Sequence, residues 1–278
     1  MLQVPDVIVE VEWLYEHMHH PNIVILDATI DKVTNSIKDK TDPEFIPSSI
    51  FFDLKNTFCD QESVLPNTVI PFSKFEEEVQ KIGINTNSCI VVYDQLGIYS
   101  SPRVFWLFRI MGFYNITVLN GGFKAWKENS YPLANKRDDI RSKGNFIANY
   151  SPEFFTSESD IRKAISNKEV SIIDARAENR FLGQVHEPRK GLRAGHIPNS
   201  SNIHYENVLK DNKLASKTTL KNIFKEKEVP QKKAIFTCGS GITACILALA
   251  AEHIKMSSYS VYDGSWTEWG SNLENPIE

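Results

Sequence analysis

Four segments from the first half of this chain recur in the second half, in the same order. The pairs are VILDATI (24–30) with SIIDARA (171–177), FIPSSIFFD (45–53) with HIPNSSNIHY (196–205), IVVYD (90–94) with AIFTC (234–238), and LNGGFKAW (119–126) with YDGSWTEW (262–269). The gaps agree, since 67 positions separate Asp27 from Asp94 and 64 separate Asp174 from Cys238. Ordered matches at similar spacing indicate a duplicated domain.

Each half alternates short apolar runs with helical patterns. The runs at 23–26, 90–93, 172–173 and 235–236 lack polar alternation, which is typical of parallel strands covered on both faces. We therefore predict an α/β fold of two domains, each a mainly parallel sheet flanked by helices on both faces. The polar stretch between the halves predicts a first domain over 1–135, a linker over 136–153 and a second domain over 154–278.

Local signals predict where several helices begin. Ser73 with Glu76 and Ser157 with Asp160 have the spacing of capping boxes. Ser101 followed by Pro102 fits an N-cap and first turn, and residues 243–254 follow a helical pattern.

Composition excludes several classes of function. The 278 residues carry 31 basic and 35 acidic side chains, a balance that gives no basic surface for nucleic acid or membranes. Because apolar runs are short and the N-terminal segment resembles no targeting signal, we expect a soluble, cytoplasmic protein. The four cysteines are 59, 89, 238 and 245, and their spacing predicts neither disulfides nor a metal site.

The segment TCGSGIT (237–243) places Cys238 between a predicted strand and a predicted helix. Ligands of open α/β sheets bind beyond the carboxyl ends of strands, and a helix N-terminus favours negative charge there. The position therefore favours a reactive thiolate, although a buried cysteine often serves only in packing. Asp94 takes the matching position in the first half and cannot act as a sulfur nucleophile. Phosphatase loops of the form Cys, five residues, Arg are a weak alternative, because Ala244 stands where the arginine would be.

The duplicated pattern, CGSGITA (238–244), GHIP (195–198) and YDGSWTEWG (262–270) resemble the tandem rhodanese sulfurtransferases over essentially the whole chain. Within that family, the neutral loop is similar to that of 3-mercaptopyruvate sulfurtransferases, whereas thiosulfate enzymes typically carry Cys-Arg-Lys-Gly. The resemblance implies that Cys238 takes sulfur from 3-mercaptopyruvate as a persulfide and releases pyruvate. It also implies a thiol acceptor such as thioredoxin, or cyanide in an assay.

The same resemblance implies the other site residues. Ser240 is expected to be catalytic, and backbone N–H groups of Gly239, Gly241, Ile242 and Thr243 are expected to bind substrate. Arg180 and Arg189 match two substrate-binding arginines in context and in their nine-residue separation. Arginine suits this role because its planar fork binds a carboxylate through paired hydrogen bonds. We expect a monomer that needs no metal and no cofactor.

One departure from the family pattern leaves alternatives open. Related mercaptopyruvate enzymes carry an acidic residue and a histidine in the first domain, whereas the corresponding positions here hold Lys55 and Ser63. No histidine lies between His20 and His186. A thiosulfate sulfurtransferase, or a persulfide-carrier module with little turnover of its own, therefore remains an alternative.

Overall fold

The protein is described by a computed structural model that covers residues 1–30, 43–138, 142–227, 229, 233–256 and 258–278. These residues form two compact units. The first contains Met1–Asp60, Val69–Tyr150 and Asp211–Lys213; the second contains Gln61–Thr68, Ser151–Lys210 and Leu214–Glu278. The domain boundaries stay a prediction, and residues 139–141 of the predicted linker lie outside the described residues.

The first unit is built on a five-stranded sheet. Its elements in chain order are β1 (Ile8–Val9), α1 (Val11–His17), β2 (Ile23–Asp27), β3 (Ser49–Phe51), α2 (Phe72–Lys81), β4 (Cys89–Tyr93), α3 (Ser101–Ile110), β5 (Ile116–Leu119) and α4 (Gly122–Glu128). The strand order is β1-β5-β4-β2-β3, and every pairing is parallel.

The second unit repeats this plan. Its elements are β6 (Phe155–Thr156), α5 (Glu158–Ala164), β7 (Val170–Asp174), α6 (Glu178–Phe181), β8 (Ser200–Asn202), β9 (Leu209–Lys210), α7 (Lys217–Glu226), β11 (Lys233–Thr237), α8 (Ala244–His253), β12 (Tyr259–Tyr262) and α9 (Ser265–Ser271). Strand β10 (Lys213–Leu214) contains one residue assigned to each unit. Strands β9 and β10 form a separate two-stranded sheet. The main sheet has the order β6-β12-β11-β7-β8 and is again parallel, which confirms the predicted duplication and fold class.

Burial explains why the central strands read as continuous apolar runs. Every residue of β2 and β4 is buried, as are the last four residues of β11. Both faces of such strands pack against other elements, so neither face needs polar residues. Among the described residues, no helix has the length and apolar character that crossing a bilayer requires.

The predicted helix starts were confirmed in one case and wrong in two. Ser157 and Asp160 form the predicted capping box at α5. In contrast, α2 begins at Phe72 without a side-chain cap, because the Glu76 carboxylate accepts a hydrogen bond from the N–H of Ala148 at 2.7 Å instead. Ser101 is the first residue of α3 rather than its cap, because its hydroxyl donates to Asp94 at 2.7 Å. A distant residue thus replaced the local partner of Glu76, whereas Ser101 is taken up by the loop that precedes α3.

Buried tryptophans give the aromatic repeat motifs a packing role. Trp126, Trp266 and Trp269 are at most 1% exposed. Each indole N–H has a carbonyl acceptor, so these large side chains enter the core without an unsatisfied donor. Trp126 donates to Pro132, and Trp269 in the matching position donates to Pro276, both at 2.8 Å.

Candidate active site

Cys238 is the first residue after β11, a central strand that lies between β12 and β7. It is 2% exposed and begins the loop 238–243 that leads into α8. Gly241 has φ 77°, a left-handed conformation that glycine adopts without strain and that turns the chain toward the helix. The loop therefore presents the cysteine at the carboxyl edge of the sheet, where α/β folds bind their ligands.

The start of α9 anchors this loop from the side. The N–H groups of Trp266 and Thr267 donate to the carbonyls of Cys238 and Gly239, both at 2.9 Å. The Ser265 hydroxyl accepts the N–H of Cys238 at 3.2 Å, and its oxygen lies 4.0 Å from the cysteine Sγ. Sequence reasoning placed the motif YDGSWTEW but missed Ser265 as a neighbour of the thiol.

Backbone N–H groups of the loop lie at the N-terminus of α8, which is the positive end of the helix. The ten-residue helix α8 starts at Ala244, with Thr243 as its N-cap residue. Within the part of the chain that the structure describes, the N–H groups of Ile242 and Thr243 have no protein acceptor. Such donors at a helix N-terminus favour a bound negative charge.

Arg180 and Arg189 both lie against the loop at Gly239. A methyl group added to Gly239 would lie 3.2 Å from Nη2 of Arg180 and 3.7 Å from Nη1 of Arg189. Nη2 of Arg189 also donates to the Ser240 hydroxyl at 3.1 Å. The structure thus brings together Cys238, Gly239, Ser240 and the two arginines that the sequence had singled out.

A buried ion network holds Arg180 in place. The Glu187 side chain, which is 1% exposed, accepts from Nε of Arg180 at 3.2 Å and from Nη2 at 2.5 Å. Glu187 also accepts from Arg176 at 2.8 Å, and Arg176 donates to Asp174 at 2.7 Å. Burial opposes the charge of Arg176, but Asp174 and Glu187 outweigh it, so the pKa of Arg176 is raised.

Sequence reasoning missed Arg176 and Glu187. Arg176 stacks 4.4 Å from the ring centroid of Trp266, so the network is also tied to α9. The available signal was an acidic residue between two predicted site arginines, since Glu187 lies between Arg180 and Arg189 in the chain.

Ser240 has a second partner that the sequence did not predict. Nδ2 of Asn67 lies 3.0 Å from both the carbonyl oxygen and the hydroxyl of Ser240. Asn67 is 6% exposed and belongs to the segment Gln61–Thr68, which packs in the second unit. Of the two positions aligned with the family's acid and histidine, Lys55 is exposed, and Ser63 bonds to Thr68 at 2.8 Å instead of reaching Ser240.

The remaining histidines and arginines near this region divide by role. His196 donates through Nδ1 to the Phe181 carbonyl (2.9 Å), and Arg193 donates to four backbone carbonyls, so both side chains have structural partners. His186 is exposed. Burial lowers the pKa of His204, an effect that Glu206 opposes and Arg180 reinforces.

The other cysteines have packed surroundings. Cys245 is fully buried and its thiol donates to the Gly241 carbonyl at 3.2 Å, so it packs in the core. Burial raises the pKa of the Cys89 thiol to about 11, so this thiol stays protonated at neutral pH. Cys59 donates to the Lys55 carbonyl at 2.9 Å.

The matching loop of the first unit begins at Asp94. Its carbonyl accepts the N–H of Phe123 at 3.1 Å, as the Cys238 carbonyl accepts that of Trp266. The Asp94 carboxylate folds back into its own loop and accepts five hydrogen bonds, four from backbone N–H groups and one from a hydroxyl. The donors are the N–H groups of Leu96, Tyr99, Ser100 and Ser101 and the Ser101 hydroxyl, at 2.7–3.0 Å.

The loop 238–243 thus combines a thiol with the N–H groups of Ile242 and Thr243, which have no acceptor among the described residues. Two arginines lie beside it. Such a site can bind a small carboxylate and accept an atom on sulfur. The matching loop of the first unit holds a carboxylate where the thiol would be.

Comparisons with known proteins agree with this architecture. A family model described as rhodanese-like domain matches residues 10–129 and 157–272. The 3-mercaptopyruvate sulfurtransferase of Escherichia coli (strain K12) is 31% identical over 271 residues, covering 96% of each chain. The thiosulfate sulfurtransferase of Rattus norvegicus is 32% identical over 275 residues, covering 94% of this chain and 91% of the relative.

A solved structure shows the same fold. The crystal structure of SseA from Escherichia coli, a 3-mercaptopyruvate sulfotransferase, matches with a TM-score of 0.83 and 29% identity over 94% of this chain and 99% of that chain. Both rhodanese-like matches coincide with the two repeats in the sequence. The chain therefore belongs to the rhodanese family, as a sulfurtransferase with two rhodanese domains in tandem.

Proposed function

We propose that this chain transfers sulfur from 3-mercaptopyruvate through a persulfide on Cys238 and releases pyruvate. The observation that carries the proposal is the position of Arg180 and Arg189 beside Gly239, at the edge of a loop whose own side chains are uncharged. A pair of fixed guanidinium groups suits a single carboxylate with an adjacent keto oxygen. The thiol that receives sulfur lies one residue away, at Cys238.

The first half-reaction forms one bond and breaks one. The Cys238 thiolate attacks the sulfur atom of 3-mercaptopyruvate, and a sulfur–sulfur bond forms. The carbon–sulfur bond breaks, and its electron pair passes into the enolate of pyruvate, which takes a proton from water. The outer sulfur stays on Cys238 as the persulfide.

The loop supplies electrostatic stabilisation for this step. The N–H groups of Ile242 and Thr243 and the N-terminus of α8 favour negative charge on sulfur before and after transfer. Ser240, held at its hydroxyl by Arg189, is placed to donate a hydrogen bond to the substrate.

The second half-reaction returns the enzyme to its starting state. An acceptor thiolate, such as that of reduced thioredoxin, attacks the outer sulfur, and the bond to Cys238 breaks to give back the thiolate. Cyanide would be converted to thiocyanate in the same way. The cytoplasmic location and the monomeric state stay predictions from the sequence.

One experiment tests the proposed donor. Purified protein is incubated with 3-mercaptopyruvate alone and with thiosulfate alone, and the mass of the protein and the pyruvate released are measured. We expect one added sulfur atom and pyruvate release with mercaptopyruvate, and neither in Cys238→Ser. Wild-type protein that gains no sulfur from mercaptopyruvate, or a Cys238→Ser variant with the wild-type rate, would contradict the proposal.

Thiosulfate is the alternative donor, since the rat relative at 32% identity is a thiosulfate sulfurtransferase. Gly239 and Ser240 are uncharged, and a doubly charged donor would gain less from this loop than from one that carries cations. Faster loading from thiosulfate than from mercaptopyruvate would favour this alternative. Sulfur uptake only from a partner's persulfide would favour the carrier module instead.

A further inference from the structure

The hydroxyl of Ser240 is held by two hydrogen-bond donors at once. Nη2 of Arg189 lies 3.1 Å from Oγ, and Nδ2 of Asn67 lies 3.0 Å from it. A guanidinium nitrogen can only donate. The Asn67 atom at this position is also a donor, because it lies 3.0 Å from the Ser240 carbonyl oxygen, which can only accept.

This arrangement determines what the serine can do. A hydroxyl has two lone pairs and one proton, and here both lone pairs are taken. Ser240 is 8% exposed, so water does not readily compete for them. The one remaining function of the group is to donate its own proton in a hydrogen bond.

We propose that Asn67 is a positioning residue that, together with Arg189, fixes the Ser240 hydroxyl as a permanent hydrogen-bond donor to the oxygen on which negative charge develops during sulfur transfer. With mercaptopyruvate that oxygen is the keto oxygen, which becomes the enolate oxygen as the carbon–sulfur bond breaks. Ser240 keeps its proton throughout, and the enolate carbon is protonated by water. This inference rests on the proposed function for the identity of that oxygen.

A short hydrogen-bonded turn holds Asn67 beside Ser240. Ser63 bonds to the Thr68 hydroxyl at 2.8 Å and accepts the N–H of Leu65 at 3.1 Å, which closes the segment on itself. Asn67 has φ 61°, a left-handed conformation that asparagine tolerates better than most residues. The turn therefore places a neutral amide, which does not titrate, beside the serine.

The left-handed backbone at Asn67 decides which variant tests the proposal. Asn67→Ala would add backbone strain to the loss of the amide, whereas Asn67→Gly removes the amide and accepts the same φ. Asn199→Gly is the matched control, because Asn199 also has a positive φ (59°) in the second unit and its side-chain amide donates to the Ile165 carbonyl at 3.1 Å, away from the cysteine loop.

The experiment is a double-mutant cycle on the rate of first-turnover pyruvate release. Ser240→Ala is expected to slow this step roughly 100-fold, the usual effect of losing one donor to a developing oxyanion. Asn67→Gly is expected to slow it about 10-fold, because the hydroxyl is then free to rotate away. The mercaptopyruvate concentration for half-saturation should change less than about threefold in both variants, since the effect lies in the transition state. Asn199→Gly should match the wild type.

The double variant separates positioning from a general structural effect. If Asn67 acts through Ser240, Asn67→Gly has no further effect in the Ser240→Ala background, and the double variant is as slow as Ser240→Ala. Multiplied losses, about 1000-fold in total, or an Asn67→Gly variant with the wild-type rate, overturn the inference.

Failure of the proposed function gives a different result. A wild-type protein that releases no pyruvate contradicts the proposed donor, whatever the variants do. In that case the same four proteins are compared for sulfur loading from thiosulfate, whose leaving sulfite also carries negative oxygen. Coupling between the two positions would then support the positioning role, and its absence would overturn it.

Discussion

The loops after β4 and β11 occupy the same place in two sheets of equal strand order, yet they hold different groups. In the first unit, the Asp94 carboxylate accepts hydrogen bonds from four backbone N–H groups and one hydroxyl of its own loop. In the second unit, the described N–H groups of Ile242 and Thr243 have no protein acceptor, and the side chain at the matching position is the Cys238 thiol.

This difference shows that the fold supplies an anion-binding loop at the same strand end in both units. In the first unit the anion is the Asp94 carboxylate of the chain itself, so the loop donors already have an acceptor. In the second unit the shorter cysteine side chain leaves loop donors that suit negative charge on sulfur. The residue at the start of the loop is thus a carboxylate in the first unit and a thiol in the second.

The surroundings of the two loops also differ in charge. The second unit adds Arg180 and Arg189 beside Gly239, with Glu187 holding Arg180. The first unit has one related pair, Arg137 with Asp27 at 2.7 Å, which matches Arg176 with Asp174 rather than the arginines at the loop. An ion pair at the end of the second strand is thus present in both units, whereas the described arginines beside the cysteine loop belong to the second.

The largest effect should come from converting the second loop into a copy of the first. Cys238→Asp removes the nucleophile, so sulfur transfer should fall by at least about 1000-fold. The new carboxylate can accept the N–H groups of the loop, so the midpoint of thermal unfolding should stay near that of the wild type or rise. Activity is measured as thiocyanate formation, and unfolding by calorimetry. A melting temperature of Cys238→Asp far below that of Cys238→Ala would show that the second loop does not bind a carboxylate as the first loop does.

A smaller effect, on stability, is expected from emptying the first loop. Asp94→Ala removes the acceptor of five hydrogen bonds, including those from the buried Ser100 and Ser101 N–H groups. Unsatisfied buried donors cost about 1–3 kcal/mol each, and we expect a total loss of roughly 3 kcal/mol in the free energy of unfolding after water enters. Urea unfolding followed by circular dichroism measures it.

Cys238→Ala is the matched control for that measurement, because the Cys238 thiol has only the Ser265 contact at 4.0 Å to lose. It should destabilise the protein by less than about 1.5 kcal/mol. Equal losses in the two variants would mean that the Asp94 hydrogen bonds add nothing to the stability of the first unit.

The smallest effect should come from loosening one cation at the second loop. Glu187→Gln keeps the shape of the side chain but removes the charge that holds Arg180. We expect the KM for mercaptopyruvate to rise about tenfold, the equivalent of one weakened charge-assisted hydrogen bond, with kcat changed less. Steady-state pyruvate release measures both constants. An unchanged KM would remove Glu187 from the donor-binding network.

Local patterns were sufficient for much of the fold and for part of the site. The central parallel strands were predicted because both of their faces are buried, which leaves an unbroken apolar run in the chain. The α5 capping box was predicted because its two residues lie three positions apart and bond to each other. Cys238, Gly239 and Gly241 were found for a similar reason, since strand, loop and helix follow each other directly in the sequence.

Other features depend on partners that are distant in the chain. Glu76 has the local spacing of a helix-start residue, but it accepts the N–H of Ala148, 72 positions away, instead. Ser265 reaches the Cys238 N–H across 27 positions. No periodicity or motif encodes such contacts, because they arise only when separate elements pack.

The clearest division lies at Ser240. The sequence by itself determined the duplicated α/β plan and the cysteine loop, because each depends on neighbouring residues or on a repeated pattern. The roles expected of Ser240, Arg180 and Arg189 came from the resemblance to the tandem rhodanese sulfurtransferases. Only the tertiary structure decided which group faces the serine, since Asn67 lies 173 positions away along the chain. The physical reason is that a hydrogen bond acts over about 3 Å in space, whatever the separation in sequence, and a turn at 63–68 brings this amide to that distance.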